Sequence, residues 1–455
     1  MIPIKNPLDR EEIMIDQCDH RPGHGKRIVF LLGAWLWASG FAPQLHLLAT
    51  GEMTTVRLQR LTVRLGQPIQ VTQTIGHAWF PTLAKFPSGE LMVTYAVSAD
   101  SNANPYSVRG FQTSRNGGRS WGHRYDLIPD LQPSIFVPQA DGSLLAILAH
   151  LYQPDREERH NLHTSYTLFE RGGSRVVVEP GGVRVADWPW PVGTFPSQIP
   201  RTNWIARLKF CGDALQMGDR LLANGYMRTG GNLEPRKEEK VISLLFVSEN
   251  KGRTWRYFST VADPFVMTAD ARRRDPEDPR FQGRPWPREL LEASETSMIQ
   301  LADGDLMAVF RVGSFLDLGR AYSSDGGRSW TRAEPIPPFS VEPSMVRTQN
   351  DTIVLSSGRP GIRVWFSTDA RAQTWQDIDI LEHHNRWAPD AGYLISQQGQ
   401  RGGRGQTTSY TEIVEISANR LLLVYDRAPF GWGATPVDSG ERSRIFVLPI
   451  ELQRD

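Results

Sequence analysis

The sequence contains almost no cysteine and almost no net charge, and each shortage excludes a class of protein. Cys18 and Cys211 are the only cysteines among 455 residues, so a small disulfide-stapled scaffold is excluded and a hydrophobic core has to stabilise the fold. The 51 lysine and arginine residues stand against 50 aspartate and glutamate residues, which gives a formal charge of +1. This balance argues against a general nucleic-acid or anionic-membrane surface.

Long apolar runs are also scarce, and the one that exists lies near the N-terminus. Residues 28–42, IVFLLGAWLWASGFA, follow a basic cluster and end in small residues, which is the order of a secretory signal. With the next apolar residues included, the run approaches the length of about 20 residues that a membrane anchor needs. We therefore predict a signal peptide or membrane anchor with an N-terminal extension over residues 1–50, and one domain over residues 51–455. The predicted location is secreted or periplasmic, with cleavage and anchoring as the two alternatives.

Turn-forming residues are abundant, with 40 glycines, 32 prolines and 14 tryptophans. One turn recurs as SRNGGRSW at 114–121, SENKGRTW at 248–255 and SSDGGRSW at 323–330, and a worn copy, STDARAQTW, lies at 367–375. Its aspartate or asparagine caps the turn, its glycines supply positive φ, and its tryptophan can pack between sheets. The polar groups of this turn are needed for folding it, which indicates a structural role.

A second repeat is a hairpin, in which two short apolar stretches flank a polar turn. The six copies begin at Thr82, Ser134, Ala214, Ser297, Ser344 and Glu412. Six hairpins at blade-sized but irregular spacing predict an all-β fold, a six-bladed β-propeller. The alternating segment 55–66 is predicted to close the ring by pairing with the last strand.

Four copies of the repeated turn, whose pattern is S-x-D/N-x-G-x-x-W in all but the last, lie on six hairpins and resemble the Asp-box (BNR) repeats of the sialidase superfamily, over about residues 70–450. Members of that family bind a sugar carboxylate with three arginines and use a tyrosine nucleophile with a glutamate partner and an aspartate acid/base. A neutral tyrosine avoids repulsion from the substrate carboxylate. Asp boxes also occur in propellers that are not enzymes, so a non-catalytic glycan-binding or structural propeller is the alternative.

The resemblance assigns several site residues. SETSMIQLADGDLMAVFR matches the family segment that carries a glutamate on one hairpin strand and an arginine on the other, here Glu295 and Arg311. The arginine eight residues before the worn turn is Arg359, with Arg363 as the alternative. TSYTEIVEI resembles the segment that holds the nucleophile, which implies Tyr410.

Two positions depart from the family pattern. The Arg-Ile-Pro motif corresponds to AWFPTL, where Trp79 occupies the arginine position and Pro81 keeps its place. A tryptophan at this position cannot donate the paired hydrogen bonds with which an arginine binds a carboxylate. It is instead a candidate for stacking on a sugar face. Asp100, in the loop before the first repeated turn, is the candidate acid/base, and Glu412 is a reserve carboxylate.

The resemblance therefore implies an exported sialidase-like exo-glycosidase, with Tyr410 and Glu295 as the nucleophile pair and a substrate that need not be a standard sialic acid. The expected partner is a glycan or glycoconjugate, with no nucleic acid and with membrane contact only through the N-terminal segment. No cofactor is expected, and no metal site, since His383 and His384 have no partners at zinc spacing.

Overall fold

Strands dominate the computed structural model, in which one α-helix occurs among the described residues. The described residues are 28–31, 53–97, 108–127, 133–149, 151, 161–170, 173, 175–187, 208–229, 240–264, 292–396, 405–429 and 440–455. No helix within these ranges is long and apolar enough to cross a membrane. Cys18 and Asp100 lie outside them, and the predicted leader is described only at residues 28–31, so the leader remains a prediction.

The strands follow the chain in groups that match the predicted hairpins. Four strands precede the first hairpin: β1 (Ile28–Leu31), β2 (Thr54–Leu58), β3 (Leu61–Leu65) and β4 (Ile69–Thr74). A four-stranded sheet follows, formed by β5 (Trp79–Lys85), β6 (Leu91–Ala96), β7 (Arg109–Ser114) and β8 (Tyr125–Leu127).

The next sheet is the largest and joins two groups of four strands. The first group is β9 (Pro133–Pro138), β10 (Leu144–Leu148), β11 (Leu162–Phe169) and β12 (Arg175–Ala186). The second group is β13 (Leu208–Met217), β14 (Arg220–Thr229), β15 (Lys240–Ser248) and β16 (Thr254–Ala262). A short parallel pairing between β12 and β16 joins the groups, and β1 pairs with β12.

Two further four-stranded sheets precede the last one. The first is formed by β17 (Ser294–Gln300), β18 (Leu306–Arg311), β19 (Asp317–Ser323) and β20 (Glu334–Phe339). The second is formed by β21 (Val341–Arg347), β22 (Ile353–Gly358), β23 (Ile362–Ser367) and β24 (Gln376–Asp379), and the helix α1 (Ile380–Trp387) follows it.

The last sheet contains strands from both ends of the chain. Its C-terminal members are β25 (Glu412–Ser417), β26 (Arg420–Arg427) and β27 (Ser443–Arg454). The long strand β27 pairs with β4 along its first half and with β3 along its second half. The predicted segment 55–66 contains β3, so the N-terminal strands and the last strand form one hydrogen-bonded unit.

All six predicted hairpins are antiparallel strand pairs, namely β5–β6, β9–β10, β13–β14, β17–β18, β21–β22 and β25–β26. The repeated turns lie between the third and fourth strands of their groups. In the turn at 323–330, the hydroxyl of Ser323 accepts a hydrogen bond from the peptide N–H of Gly327 at 2.8 Å. The carboxylate of Asp325 accepts from the N–H of Ser329 at 2.9 Å, so the polar groups of the turn are used in folding it.

The same glycine also brings neighbouring sheets into contact. Gly327 has a φ of +90°, and a Cβ added there would lie 2.6 Å from a methyl carbon of Leu245 on β15. The equivalent Gly118 has a φ of +84° and would place its Cβ 2.7 Å from Leu422 on β26. These two turns therefore each pack a glycine against a leucine of another sheet.

Two buried features of the fold involve residues that the sequence analysis singled out. Cys211 is free and buried on β13, and its sulfur accepts the N–H of Thr296 at 3.2 Å. The histidines of α1 are buried rather than solvated, because His383 contacts the carbonyl of Gly66 at 2.8 Å and His384 contacts the hydroxyl of Tyr425 at 2.8 Å. Both histidines attach the helix to the sheets.

Candidate functional site

The side chains of Tyr410 and Glu295 meet in a hydrogen bond, although 115 positions separate them in the sequence. The tyrosine hydroxyl donates to Glu295 Oε1 at 2.5 Å. The other carboxylate oxygen, Oε2, accepts the peptide N–H of Glu342 at 2.9 Å. Tyr410 precedes β25, whereas Glu295 is the second residue of β17, so the contact joins the starts of two first strands.

Arg311, at the end of β18, lies beside this pair. Its Nη1 donates to Glu295 Oε1 at 2.8 Å and lies 3.4 Å from the hydroxyl of Tyr410. Its Nε forms an ion pair with Glu292 at 3.3 Å. Its Nη2 donates to the hydroxyl of Ser314 at 3.2 Å. The guanidinium is thus held between two carboxylates.

Arg359 approaches Tyr410 from the next sheet. Its guanidinium carbon lies 5.5 Å from the centre of the Tyr410 ring, within cation–π range. Its Nη1 donates to the same Ser314 hydroxyl at 3.2 Å, and its Nη2 donates to the carbonyl of Thr408 at 2.9 Å. The alternative, Arg363, lies elsewhere on β23 and pairs with carboxylates of β24.

The electrostatics of the pair follow from burial and from these two arginines. Burial opposes ionisation of Glu295, but the charge of Arg311 and the hydrogen bond from Tyr410 outweigh it and leave the pKa of Glu295 below its ordinary value. Burial and the nearby carboxylate of Glu295 raise the pKa of Tyr410 well above its ordinary value, against the opposing charges of Arg311 and Arg359. Glu295 is therefore an ionised acceptor and Tyr410 a neutral donor.

β-Bulges orient the side chains at the start of three strands near the site. The register of the first hairpin strand shifts at the start of β5, β17 and β21, where a β-bulge redirects the side chain. The bulged residues Phe80, Glu295 and Glu342 have φ values of 48°, 47° and 40°. Arg359 and Ser409, next to the site, have φ values of 66° and 64°. Left-handed backbone at non-glycine residues costs free energy and concentrates at functional sites.

Three acidic side chains near the pair were not assigned a primary role from the sequence. Burial, and then the charge of Glu295, raises the pKa of Glu342 to about 8 despite the opposing charges of Arg311, Lys209 and Arg359. The signal that could have identified Glu342 is its position, since it is the second residue of its first hairpin strand, as Glu295 is.

The other two carboxyls, Asp213 and Glu412, are hydrogen-bonded to each other. Burial raises the pKa of Asp213 to about 6, and burial together with the charge of Asp213 raises the pKa of Glu412 well above its ordinary value. Glu412 also accepts the N–H of Leu83 at 2.6 Å.

Trp79 does not join the cluster. It is 1% exposed and stacks on His77 with ring centres 4.4 Å apart, so its buried indole has no open face for a sugar in this structure. The ring that reaches the site is that of its neighbour Phe80, whose edge contacts Tyr410 at a centroid distance of 4.9 Å. Sequence alignment to a family motif marks the position but does not tell which of two consecutive side chains faces the site.

A buried aspartate holds the two chain segments that flank the site. Asp426 on β26 accepts the peptide N–H of Phe80 at 3.1 Å and that of Thr408 at 2.8 Å. It also accepts the hydroxyl of Thr407 at 2.8 Å. Because these donors lie within three residues of Tyr410 or within β5, Asp426 positions both Phe80 and Tyr410.

Within the described ranges, no group of three or more histidine, cysteine, aspartate or glutamate side chains is arranged to hold a metal ion. The arrangement offers a buried hydroxyl, an ionised acceptor for its proton, and two guanidinium groups within reach of the developing negative charge. This combination can perform nucleophilic attack with general-base assistance.

Comparison with known proteins defines the fold. No family model and no curated protein matches the chain. A crystal structure of a protein of unknown function from Dyadobacter fermentans aligns with a TM-score of 0.54 at 18% identity, covering 86% of this chain and 99% of that one. A Hadza microbial sialidase aligns with a TM-score of 0.51 at 14% identity, covering 80% of this chain and 66% of that one.

An α-L-arabinofuranosidase from Fusarium graminearum, solved with an iminosugar inhibitor, aligns with a TM-score of 0.50 at 10% identity, over 85% of this chain and 97% of that one. Identities this low carry information about the fold alone. The protein therefore shares its all-β fold with these solved structures, two of which are glycosidases.

Proposed function

We propose that this protein is an exported exo-glycosidase that removes a terminal sugar from a glycan through the Tyr410–Glu295 pair. The proposal includes a six-bladed propeller of the Asp-box class. Its first five blades are the strand groups β5–β8, β9–β12, β13–β16, β17–β20 and β21–β24. The sixth is β25, β26 and β27 with N-terminal strands, and the pairing of β3, within the predicted segment 55–66, and of β4 with β27 supports closure of the ring by the N-terminal strands.

The observation that carries the proposal is the 2.5 Å hydrogen bond from the Tyr410 hydroxyl to Glu295. A phenol is a weak nucleophile unless a base takes its proton in the transition state. Glu295, with a lowered pKa, is ionised and in contact with that proton. Arg311 and Arg359 lie where they stabilise the charge that develops on the phenolic oxygen.

The reaction then has two steps. First, the Tyr410 oxygen bonds to the anomeric carbon and its proton passes to Glu295, while the glycosidic C–O bond breaks and the leaving oxygen takes a proton from an acid. Second, the deprotonated acid/base takes a proton from water as the water oxygen bonds to the anomeric carbon, the bond to the Tyr410 oxygen breaks, and Glu295 returns its proton to that oxygen. Asp100 remains the proposed acid/base, and it lies outside the described residues.

A non-catalytic glycan-binding propeller is the second candidate. The burial of Trp79 favours it, because Trp79 stands where the family motif has an arginine and contributes neither a cation nor an open ring to the site. Both candidates use the site around Tyr410 and Glu295, and they differ in whether the bound glycan is hydrolysed.

Hydrolysis of a panel of aryl glycosides, including an α-sialoside and neutral α- and β-glycosides, distinguishes the candidates. We expect turnover of at least one substrate by the wild type. Tyr410→Phe, which removes only the nucleophilic oxygen, should lower kcat by about 10²–10⁴-fold. Because the two residues act as a unit, adding Glu295→Gln should lower the rate little further.

Tyr125→Phe is the matched control, since Tyr125 lies on the surface strand β8 away from the site, and its rate should equal that of the wild type. Equal rates for wild type and Tyr410→Phe would refute the tyrosine mechanism. Saturable glycan binding without turnover of any panel member would support the binding module instead.

A further inference from the structure

The two arginines that reach the site are already engaged by groups of the protein. Arg311 contacts Glu295 at 2.8 Å and Glu292 at 3.3 Å, and its side chain is only 17% exposed. Arg359 is 2% exposed and donates to Ser314 and to the carbonyl of Thr408. A substrate carboxylate would have to compete with these acceptors for the same donors.

Both cations and carboxyl groups surround Glu342. The cations are Lys209, Arg311 and Arg359. The carboxyl groups are Glu295, Glu292, which pairs with Arg311, and the hydrogen-bonded Asp213–Glu412 pair. Within the described residues, carboxyl groups of the protein therefore oppose the positive charge near Glu342, which weakens its attraction for an anionic ligand.

Glu342 serves as an internal probe of this environment. Its carboxyl lies among Arg311, Arg359 and Lys209, which favour the ionised form, yet burial and Glu295 prevail and its pKa rises to about 8. A carboxylate is thus less favourable at this position than in water. A sugar carboxylate bound beside Glu295 would meet the same opposing charge.

We propose that the site accepts an uncharged glycosyl unit in preference to a sugar carboxylate, and that Glu292 and Glu295 cause this preference by engaging Arg311. This inference rests on the proposed glycan site. Carboxyl groups that both donate and accept hydrogen bonds, such as Glu342 and the Asp213–Glu412 pair, suit the hydroxyls of a neutral sugar. The protein's own carboxyls, rather than a substrate carboxylate, then make a neutral nucleophile advantageous.

Matched pairs of ligands that differ only in charge test the preference. We would measure, by calorimetry at pH 7, binding of aryl glycosides of glucose and glucuronate, galactose and galacturonate, and the methyl ester and free acid of N-acetylneuraminate. In every pair with measurable binding, the neutral member should bind at least about tenfold more tightly. Tighter binding of any carboxylate member would overturn the proposal, and so would a failure of all neutral members to bind.

Two variants test the cause. Glu292→Gln should shift the ratio of neutral to acid affinity toward the acid by about tenfold, because it frees one face of Arg311. Lys209→Met should shift the ratio in the opposite direction. Glu451→Gln, in an exposed ion pair with Arg420 on β27, is the control and should leave the ratio unchanged. An unchanged ratio in both Glu292→Gln and Lys209→Met would refute the assigned cause.

Hydrolysis measured on the same ligands separates this inference from the proposed function. Preferential binding of the neutral members without turnover would support the inference and refute the hydrolase. Turnover that favours the carboxylate members would support the hydrolase and refute the inference.

Discussion

At the scale of single residues, the surroundings of Glu342 oppose the ionisation of its carboxyl group. It extends from a bulge at the start of β21, its N–H is bonded to Glu295, and its pKa is raised from 4.5 to about 8 by burial and by that neighbour. A carboxyl whose pKa is higher in the folded than in the unfolded chain binds its proton more tightly when folded. The contribution of Glu342 to the free energy of unfolding therefore decreases as the pH rises from 4.5 through about 8 and changes no further above that value.

Glu342→Gln removes this titration. Below pH 4.5 the variant and the wild type should have similar stability, because the wild-type side chain is neutral in both states. At pH 9 the variant should be more stable by about 1–3 kcal/mol. Thermal unfolding of both proteins across this range measures the difference, and a Glu249→Gln variant at the exposed ion pair with Arg256 is the control. A difference that does not grow with pH would contradict the assignment.

At the scale of elements, the repeated turn is a structural unit that links sheets. Ser323 is 2% exposed, accepts the N–H of Gly327 and donates to Asp325 at 2.8 Å. Trp330 at the end of the turn packs against two hydrophobic clusters, one with residues of β15 and β18 and the other with residues of β16, β18 and β19. Local sequence predicted this element because the hydrogen bonds that close it, from the N–H groups of Gly327, Arg328 and Ser329, span at most four residues.

Ser323→Ala should lower the free energy of unfolding by about 1–2 kcal/mol, since it leaves the buried N–H of Gly327 without its acceptor. Ser329→Ala, in the same turn but exposed, is the matched control and should cost less. Denaturant titration measures both changes. Hydrolysis rates should stay at the wild-type value in both variants, because the turn does not contact Tyr410. Equal stability of Ser323→Ala and wild type would exclude the hydrogen bond as a stabilising contact.

The helix α1 shows where local patterns are insufficient. Asp379 caps it by accepting the N–H of Glu382 at 3.1 Å, and both histidines on one side are buried. Burial lowers the pKa of His384 to about 4, which keeps it neutral. The sequence around His383 and His384 is polar and indicates a loop. Only the packing of α1 on the last sheet buries the two histidines.

At the scale of the whole molecule, both ends of the chain meet on β27. Val71 on β4 is 7% exposed and packs with Ile445 and Val447 of β27 and with Leu91 and Val93 of β6. The strand β4 is thus part of the hydrophobic core. Such a strand makes unfolding of the first and last sheets a single event.

Val71→Ala should lower the free energy of unfolding by about 1.5–3 kcal/mol. Tryptophan fluorescence and circular dichroism should still report one coincident transition at a lower denaturant midpoint. Val56→Ala on β2, at the edge of the same sheet, is the control and should cost less. Separate transitions for the two probes would show that β4 unfolds independently of the core.

The sequence by itself determined the elements whose causes are local. Alternating apolar residues around polar turns specified six hairpins, and the spacing of Ser323, Asp325 and Gly327 specified the repeated turn. A resemblance to a family motif also singled out Glu295 and Tyr410, which the structure brings into contact. The physical reason is that these signals rest on side-chain alternation and on short-range hydrogen bonds.

Only the tertiary structure determined the contacts, the burial and the pKa values at the site. Contact between Tyr410 and Glu295 depends on the packing of separate sheets, and the raised pKa of Glu342 depends on groups contributed by three other strands. The structure also buried Trp79 and turned Phe80 toward the tyrosine, through a bulge that no spacing rule predicts. Burial and electrostatic coupling are properties of neighbours in space, and the order of residues along the chain does not contain them.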